Sequence, residues 1–210
     1  MLKVKSLPVG MLMTNCYVIT DEASGMSAVI DPGELSPALD DILTKIGYET
    51  IKYIILTHGH YDHIGGTNDI LNMSGCKAEV AVCADDIPLL SDNYLNLSEL
   101  FTDAPLKSVK ADIALNDGDI ITLGECNLRV MQTPGHTRGS VCLIGDGIIF
   151  SGDTLFMLSM GRTDFPTGSS KQLMASLKRL SELEGDYIVY PGHNDRTTLS
   201  YERKNNPYVG

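Results

Sequence analysis

Apolar positions along the chain fall into short runs of two kinds, and the alternation of those runs sets the expected architecture. Residues 2–8, 15–20 and 26–31 alternate or run apolar over four to seven positions, the signature of strands, with turns at Pro8-Val9-Gly10 and Glu22–Gly25. Leu39, Ile42, Leu43 and Ile46 then recur at helical spacing, opened by Ser36-Pro37 as cap and first-turn proline and closed by Gly47. Ile51–Leu56 is a short β-branched run and reads as a buried strand; a helix is expected from there to about Met73. Lys77–Cys83 is expected as a strand and Ala84–Leu90 as a short helix. Residues 91–111 have weak periodicity and many turn formers, and read either as an ordinary surface excursion or as a lid or binding loop.

From Ile113 the pattern turns β again, at Ile120–Leu123, Cys126–Gln132, Ser140–Ile144 and Gly147–Phe150. Ser169-Ser170 opens a helix with Leu173, Leu177 and Leu180 on one face. Tyr187–Tyr190 is a last strand, and residues 196–205 a terminal helix. Strands followed by helix occur twice, which predicts two β-rich halves face to face with helices outside: an α+β, four-layer αββα sandwich with a site along one edge. No linker or repeat divides residues 1–210, so a single domain is expected.

Composition adds exclusions. A formal net charge of −11 argues against nucleic acid, which calls for a basic patch. No apolar stretch approaches a membrane span, and Met1–Lys5 lacks the apolar core of a signal peptide. The five cysteines (Cys16, Cys76, Cys83, Cys126 and Cys142) are odd in number, scattered and never paired as Cys-x-x-Cys. They read as reduced core thiols of a cytoplasmic protein.

Histidine placement carries the chemistry. Three of the five histidines fall in Thr57-His58-Gly59-His60-Tyr61-Asp62-His63, directly after the Ile51–Leu56 strand. If the backbone stays extended there, His58 and His60 point to one side, while Asp62 and His63 suit the start of a helix. His136 and His193 each follow a Pro-Gly pair at the end of a strand-like run, where loops present functional groups. Asp153 and Asp31 are carboxylates at strand ends. Asp31 either opens a turn or orients a ligand imidazole. Nitrogen and carboxylate donors without thiolate suit zinc, iron or manganese, and a site with coordination room for water points to metal-assisted hydrolysis.

His58-x-His60-x-Asp62-His63, followed in order by His136, Asp153 and His193, resembles the metal motif of the metallo-β-lactamase fold hydrolases. The resemblance runs nearly end to end, through Thr14-Asn15-Cys16-Tyr17, Asp31-Pro32-Gly33 and Thr133-Pro134-Gly135-His136-Thr137. Gly161-Arg162-Thr163-Asp164-Phe165-Pro166 and the ending Tyr201–Tyr208 are similar to the short, single-domain glyoxalase II-like branch. The resemblance implies two divalent metal ions, zinc first, with iron or manganese as alternatives. It puts His58, His60 and His136 on one metal and Asp62, His63 and His193 on the other, with Asp153 bridging. Asp62 and Asp153 would then be catalytic as well as ligating. The implied activity is hydrolysis of a small thioester such as S-lactoylglutathione by a metal-bridging hydroxide.

Full-length glyoxalase II has an additional helical domain that contacts glutathione, and a stretch of 210 residues filled by the metal-binding fold is not expected to contain it. Tyr61, Arg162 and Arg203 are therefore candidate substrate contacts, with Lys171 and Lys204 as further basic candidates and Asp164 holding Arg162. Asn194-Asp195-Arg196 departs from the Gly-Pro usual in the branch and is expected to put an acid and a base near the second metal. Persulfide dioxygenases share the fold and a similar Gly-Arg-Thr-Asp-Phe segment, but use one iron at positions matching His58, His136 and Asp153. That activity, or hydrolysis of another ester or phosphoester, is the alternative; a metal-stabilised binding module is a non-catalytic one.

Overall fold

In a computed structural model, described here for every residue except Ser74, Cys76 and Gly210, two six-stranded sheets pack face to face between helices. The first sheet has the order β1 (Leu2–Val9), β2 (Thr14–Asp21), β3 (Ser27–Ile30), β4 (Ile51–Leu56), β5 (Glu79–Cys83), β6 (Ile113–Leu115). β1 to β3 form an antiparallel meander, and β3 to β6 run parallel. The second sheet is built from β7 (Ile120–Leu123), β8 (Cys126–Gln132), β9 (Val141–Ile144), β10 (Ile148–Gly152), β13 (Ile188–Pro191) and β14 (Thr197–Thr198), in the order β14-β13-β10-β9-β8-β7. A small hairpin, β11 (Leu155–Phe156) and β12 (Ser159–Met160), stands apart from both.

Side-chain alternation along the strands separates three cores. Val29, Ile54, Leu56 and Val80 face outward, onto α1 (Pro37–Ile46) and onto α2 (Tyr61–Ile64) and α3 (Thr67–Met73), meeting Leu39, Leu43, Ile64 and Ile70. Their neighbours Ile30, Ile55 and Ala81 face the other way, against Leu128, Val130, Leu143 and Phe150 of the second sheet. Met131, Cys142 and Ile149 leave the far face and pack on Leu173, Leu177 and Leu180 of α5 (Ser170–Ser181) and Leu199 of α6 (Leu199–Asn205). The result is the four-layer αββα sandwich. Caps fall where the sequence puts them: Ser36 Oγ accepts from Leu39 N, and Ser169 Oγ from Gln172 N.

Two local expectations change, at Met73 and at 196–205, and two are made specific, at 84–90 and 91–111. The helix expected up to Met73 is two short ones, because the Gly65-Gly66 corner lies against the Pro32–Leu35 backbone: a Cβ on Gly66 would come within 2.7 Å of Leu35 N. Ala84–Leu90 is a 3₁₀ helix with Pro88 inside it. Residues 196–205 begin as the edge strand β14 before α6 starts. The weakly patterned 91–111 segment contains α4 (Ser98–Phe101) and supplies one wall of the cavity described below.

Among the cysteines, Cys16, Cys83 and Cys142 are free and buried and Cys126 is free and half-buried; Cys76 lies outside the described residues. Among the described residues no helix is long and apolar enough to cross a membrane.

Candidate metal centre

All seven expected donors come from the C-terminal ends of strands. His58 follows β4, His60 caps α2, and Asp62 and His63 sit in that helix; His136, Asp153 and His193 follow β8, β10 and β13. The two sheets thus deliver them to one edge of the sandwich from opposite sides. His58 Nε2 lies 3.1 Å from His60 Nδ1, which lies 2.9 Å from His136 Nε2. Beside this trio, Asp62 Oδ2 is 3.5 Å from His63 Nε2 and 3.3 Å from His193 Nε2. Asp153 stands between them, with Oδ2 3.5 Å from His136 Nε2 and 3.6 Å from His193 Nε2, and Oδ1 3.5 Å from His63 Nε2.

The nitrogens that face inward are selected by what the other ring nitrogens touch. His136 Nδ1–H donates to Arg162 O at 2.7 Å. His58 Nδ1 lies 3.2 Å from Thr57 Oγ1, whose own proton goes to Asp31 Oδ2 at 2.6 Å. Asp31 Oδ2 is also 2.9 Å from His63 Nδ1, and Asp31 Oδ1 accepts from Thr57 N at 2.7 Å. Asp31 therefore does both things the sequence left open: it turns the chain at φ 51° and braces two imidazoles. Thr14 Oγ1 donates to Asp62 Oδ2 at 2.8 Å.

The donor set fits a cation. Burial, reinforced by neighbouring imidazoles, pushes the His58 and His60 pKa values well down, so both present lone pairs at neutral pH. Burial also works against a proton on His63, but the carboxylates of Asp62, Asp31 and Asp153 outweigh it and push the value up to about 10. The centre thus favours positive charge at His63. His63 Nε2 and Asp153 Oδ1 are buried with no hydrogen-bond partner among the described residues, a costly arrangement that a coordinated metal relieves. Gly192 leaves the room: a Cβ there would press on Asp153 Oδ1 and come within 2.9 Å of His63 Cε1.

A sequence model of the metallo-beta-lactamase superfamily matches residues 9–193. The chain belongs to that superfamily. The hydroxyacylglutathione hydrolase GloC of Haemophilus influenzae is 29% identical over 99% of this chain and 98% of its own length. Among solved structures, the BLEG-1 B3 metallo-beta-lactamase is similar with a TM-score of 0.87 at 32% identity, covering 99% of both chains. TTHA1623, solved in a di-iron-bound form, has a TM-score of 0.82 at 30% identity, over 98% of this chain and all of that one. In this superfamily member the His/Asp cluster is a metal-binding site for divalent cations.

The centre opens into a cavity of about 420 Å³. Tyr61 and Arg162 line it; the Arg162 guanidinium is held by both carboxylate oxygens of Asp164 at 2.7 Å each and lies 3.8 Å over the Phe165 ring. Arg203 is elsewhere. Its guanidinium donates to Ser181 O at 2.8 Å, to Gly185 O at 2.7 Å and to Leu183 O, closing the C-terminal end of α5, where free carbonyls attract a cation. Lys171 and Lys204 are exposed and do not line the cavity either. Asp195 and Arg196 line a separate polar hollow with Tyr17 and Tyr190, because Asn194 turns the chain away at φ 65°.

Asp86 goes unnoticed in the sequence. It is fully buried and accepts from Gly59 N at 2.9 Å, Gly139 N at 2.7 Å and Thr137 Oγ1 at 2.7 Å, tying the His58–His60 loop to the His136 loop. Its only signal is that it sits just past a strand, as Asp31 and Asp153 do.

Proposed function

We propose that the chain is a two-metal hydrolase of a small thioester, with S-lactoylglutathione as the representative substrate and residues 1–210 acting as one domain. The observation that carries this reading is the pair of neighbouring donor trios, His58, His60 and His136 beside Asp62, His63 and His193, with Asp153 between them, open to one cavity. These residues would hold the two metals, Asp153 as the shared ligand; zinc is the first candidate, with iron or manganese as alternatives. Divalent cations held there would supply a water nucleophile at neutral pH and would offset the charge that develops on the carbonyl oxygen.

The chain's own residues do the rest. Asp31 and Thr57 keep His58 and His63 in fixed orientations, and Thr14 does the same for Asp62. Such bracing typically matters about 10- to 100-fold in metal affinity or activity. No lysine lines the cavity as a general acid, and a thioester needs little help, since a thiolate leaves at a pKa of about 8.5. The relationship to GloC supports this substrate class, and the free thiols of Cys16, Cys83, Cys126 and Cys142 fit a reducing compartment such as the cytoplasm.

The test combines metal analysis, turnover and one variant. About two metals per chain, turnover of S-lactoylglutathione, and loss of that turnover in a folded Asp153→Ala variant are the expected results. Retained turnover in that variant would sink the two-metal reading. One iron per chain with oxygen uptake on glutathione persulfide would replace it with the dioxygenase. A β-lactam is the second hydrolytic reading, on the likeness to BLEG-1, and cleavage of a β-lactam but no thioester would establish it.

A further inference from the structure

The chain is poor in aromatic residues and contains only four phenylalanines. One, Phe150, is fully buried between the sheets. The other three, Phe101, Phe156 and Phe165, all line the cavity over the metal centre. They come from three separate elements: α4, β11 and the loop after β12. Tyr61 joins them from the metal motif itself. Its ring stacks on Phe101 at 5.9 Å and 15°, and Phe165 meets Phe101 edge-on at 6.3 Å and 75°. Phe156 meets His193 edge-on at 6.1 Å. Phe101 and Leu12, both of which line the cavity, each keep 44% of their surface exposed. Neither is therefore there to fill the core.

The polar side of the cavity is equally selective. Arg162 is the only lysine or arginine among its lining residues, and its Nε and Nη2 are already committed to Asp164. Its charge is matched by that carboxylate and its flat face is spent on Phe165. A thiol such as glutathione brings two carboxylates and an ammonium. Here it would have to desolvate them against Leu12, Phe101 and Phe156 with no unmatched cationic side chain to receive them, an expensive exchange. An aryl ring finds both stacked and edge-on partners at favourable separations.

The geometry points to a substrate that carries an uncharged aryl or arylalkyl group beside its scissile bond, with Tyr61, Phe101, Phe156 and Phe165 as the specificity-determining residues. This rests on the thioester reading above and narrows it, away from peptide thiols and toward aromatic thioesters.

The test uses three thioesters on the metal-loaded protein: S-lactoylglutathione, the lactoyl thioester of benzyl mercaptan, and S-phenylacetyl-N-acetylcysteamine. At least one aromatic ester is expected to exceed S-lactoylglutathione in kcat/KM by tenfold or more. Phe101→Ala should shrink that preference toward unity, mainly through KM, and Phe101→Tyr should keep it. Binding is read separately by calorimetry with two inert thioethers, benzyl 2-hydroxypropyl sulfide and S-(2-hydroxypropyl)glutathione, the first binding at least tenfold tighter. Hydrolysis led by S-lactoylglutathione, or equal binding of the two thioethers, overturns the inference and leaves thioester hydrolysis standing. Hydrolysis of none of the three, with the benzyl thioether still preferred, overturns the thioester reading and keeps the aryl site.

Discussion

Replacing Asp86 by asparagine tests whether the buried carboxylate holds the two ligand loops in register. The change is nearly isosteric, so it creates no cavity. What it changes is donor count. Oδ1 receives Gly139 N–H, and Oδ2 receives Gly59 N–H and Thr137 Oγ1–H. An amide has one oxygen, so either orientation aims its NH₂ at a backbone N–H that has no alternative partner. A buried donor left unpaired costs about 1–3 kcal/mol, and the surviving bonds lose their charge assistance, roughly half their strength. Against this, burial pushes the Asp86 pKa up more than its three donors pull it down, so neutralising the group recovers part of the loss. The balance is a destabilisation of about 2 kcal/mol. For a chain of this size that lowers Tm by roughly 4–8 °C. Metal affinity should fall about tenfold, since the loops carrying His58, His60 and His136 lose their tie. Thermal melts by circular dichroism and metal titration against a competing chelator measure both. A Tm within 1 °C of the parent and unchanged metal affinity would refute the reasoning.

Three further outcomes follow from the same geometry. Gly192→Ala should leave the fold intact and weaken metal binding at least tenfold, because the new Cβ presses on Asp153 Oδ1; a metal titration checks it. The hydrogen bonds from Arg162 pull the Asp164 pKa down to about 2. Ionised Asp164 therefore favours the folded state above the ordinary carboxylate value of about 3.9, and that contribution is lost as pH falls from there through about 2. Carbon NMR should find the Asp164 midpoint near 2 and see it rise to the ordinary range in Arg162→Gln. Chelation should lower Tm by roughly 10 °C, since free metal at about 1,000 times its Kd adds about 4 kcal/mol to the loaded form; an unchanged melt would show that the cluster binds no cation.

How much of this was legible in the sequence depended on the range of the interaction concerned. α1 and α5 could be read because stripe and cap are local: Ser36 with Leu39 and Leu43, Ser169 with Leu173 and Leu177. Pro-Gly pairs marked the strand ends before His136 and His193, the β-branched Ile51–Leu56 run marked the one before His58, and the family resemblance completed the set of seven. The break between α2 and α3 could not be read, because it is imposed by the backbone near Pro32, some thirty residues away. The β11–β12 hairpin has only two residues per strand and no periodicity to show. Arg203 looked like a free cation because its partners, the carbonyls after α5, are supplied by a distant helix end. Asp86 stayed inconspicuous within the short helix expected over Ala84–Leu90, because the amides it receives belong to Gly59 and Gly139, which carry no side chain to announce them.

The division of the donors between the two sheets has a temporal consequence. His60 and His136 are 76 positions apart, and Asn15 Nδ2 bonds Pro191 O across 176. A growing chain that has emerged as far as residue 130 owns four of the seven donors and the whole first sheet, but neither donor trio is complete. Contacts of such separation close late, after the intervening chain is in place. A nascent or truncated chain therefore offers only fragments of the donor cluster, which is assembled only where the two ends of the chain have met.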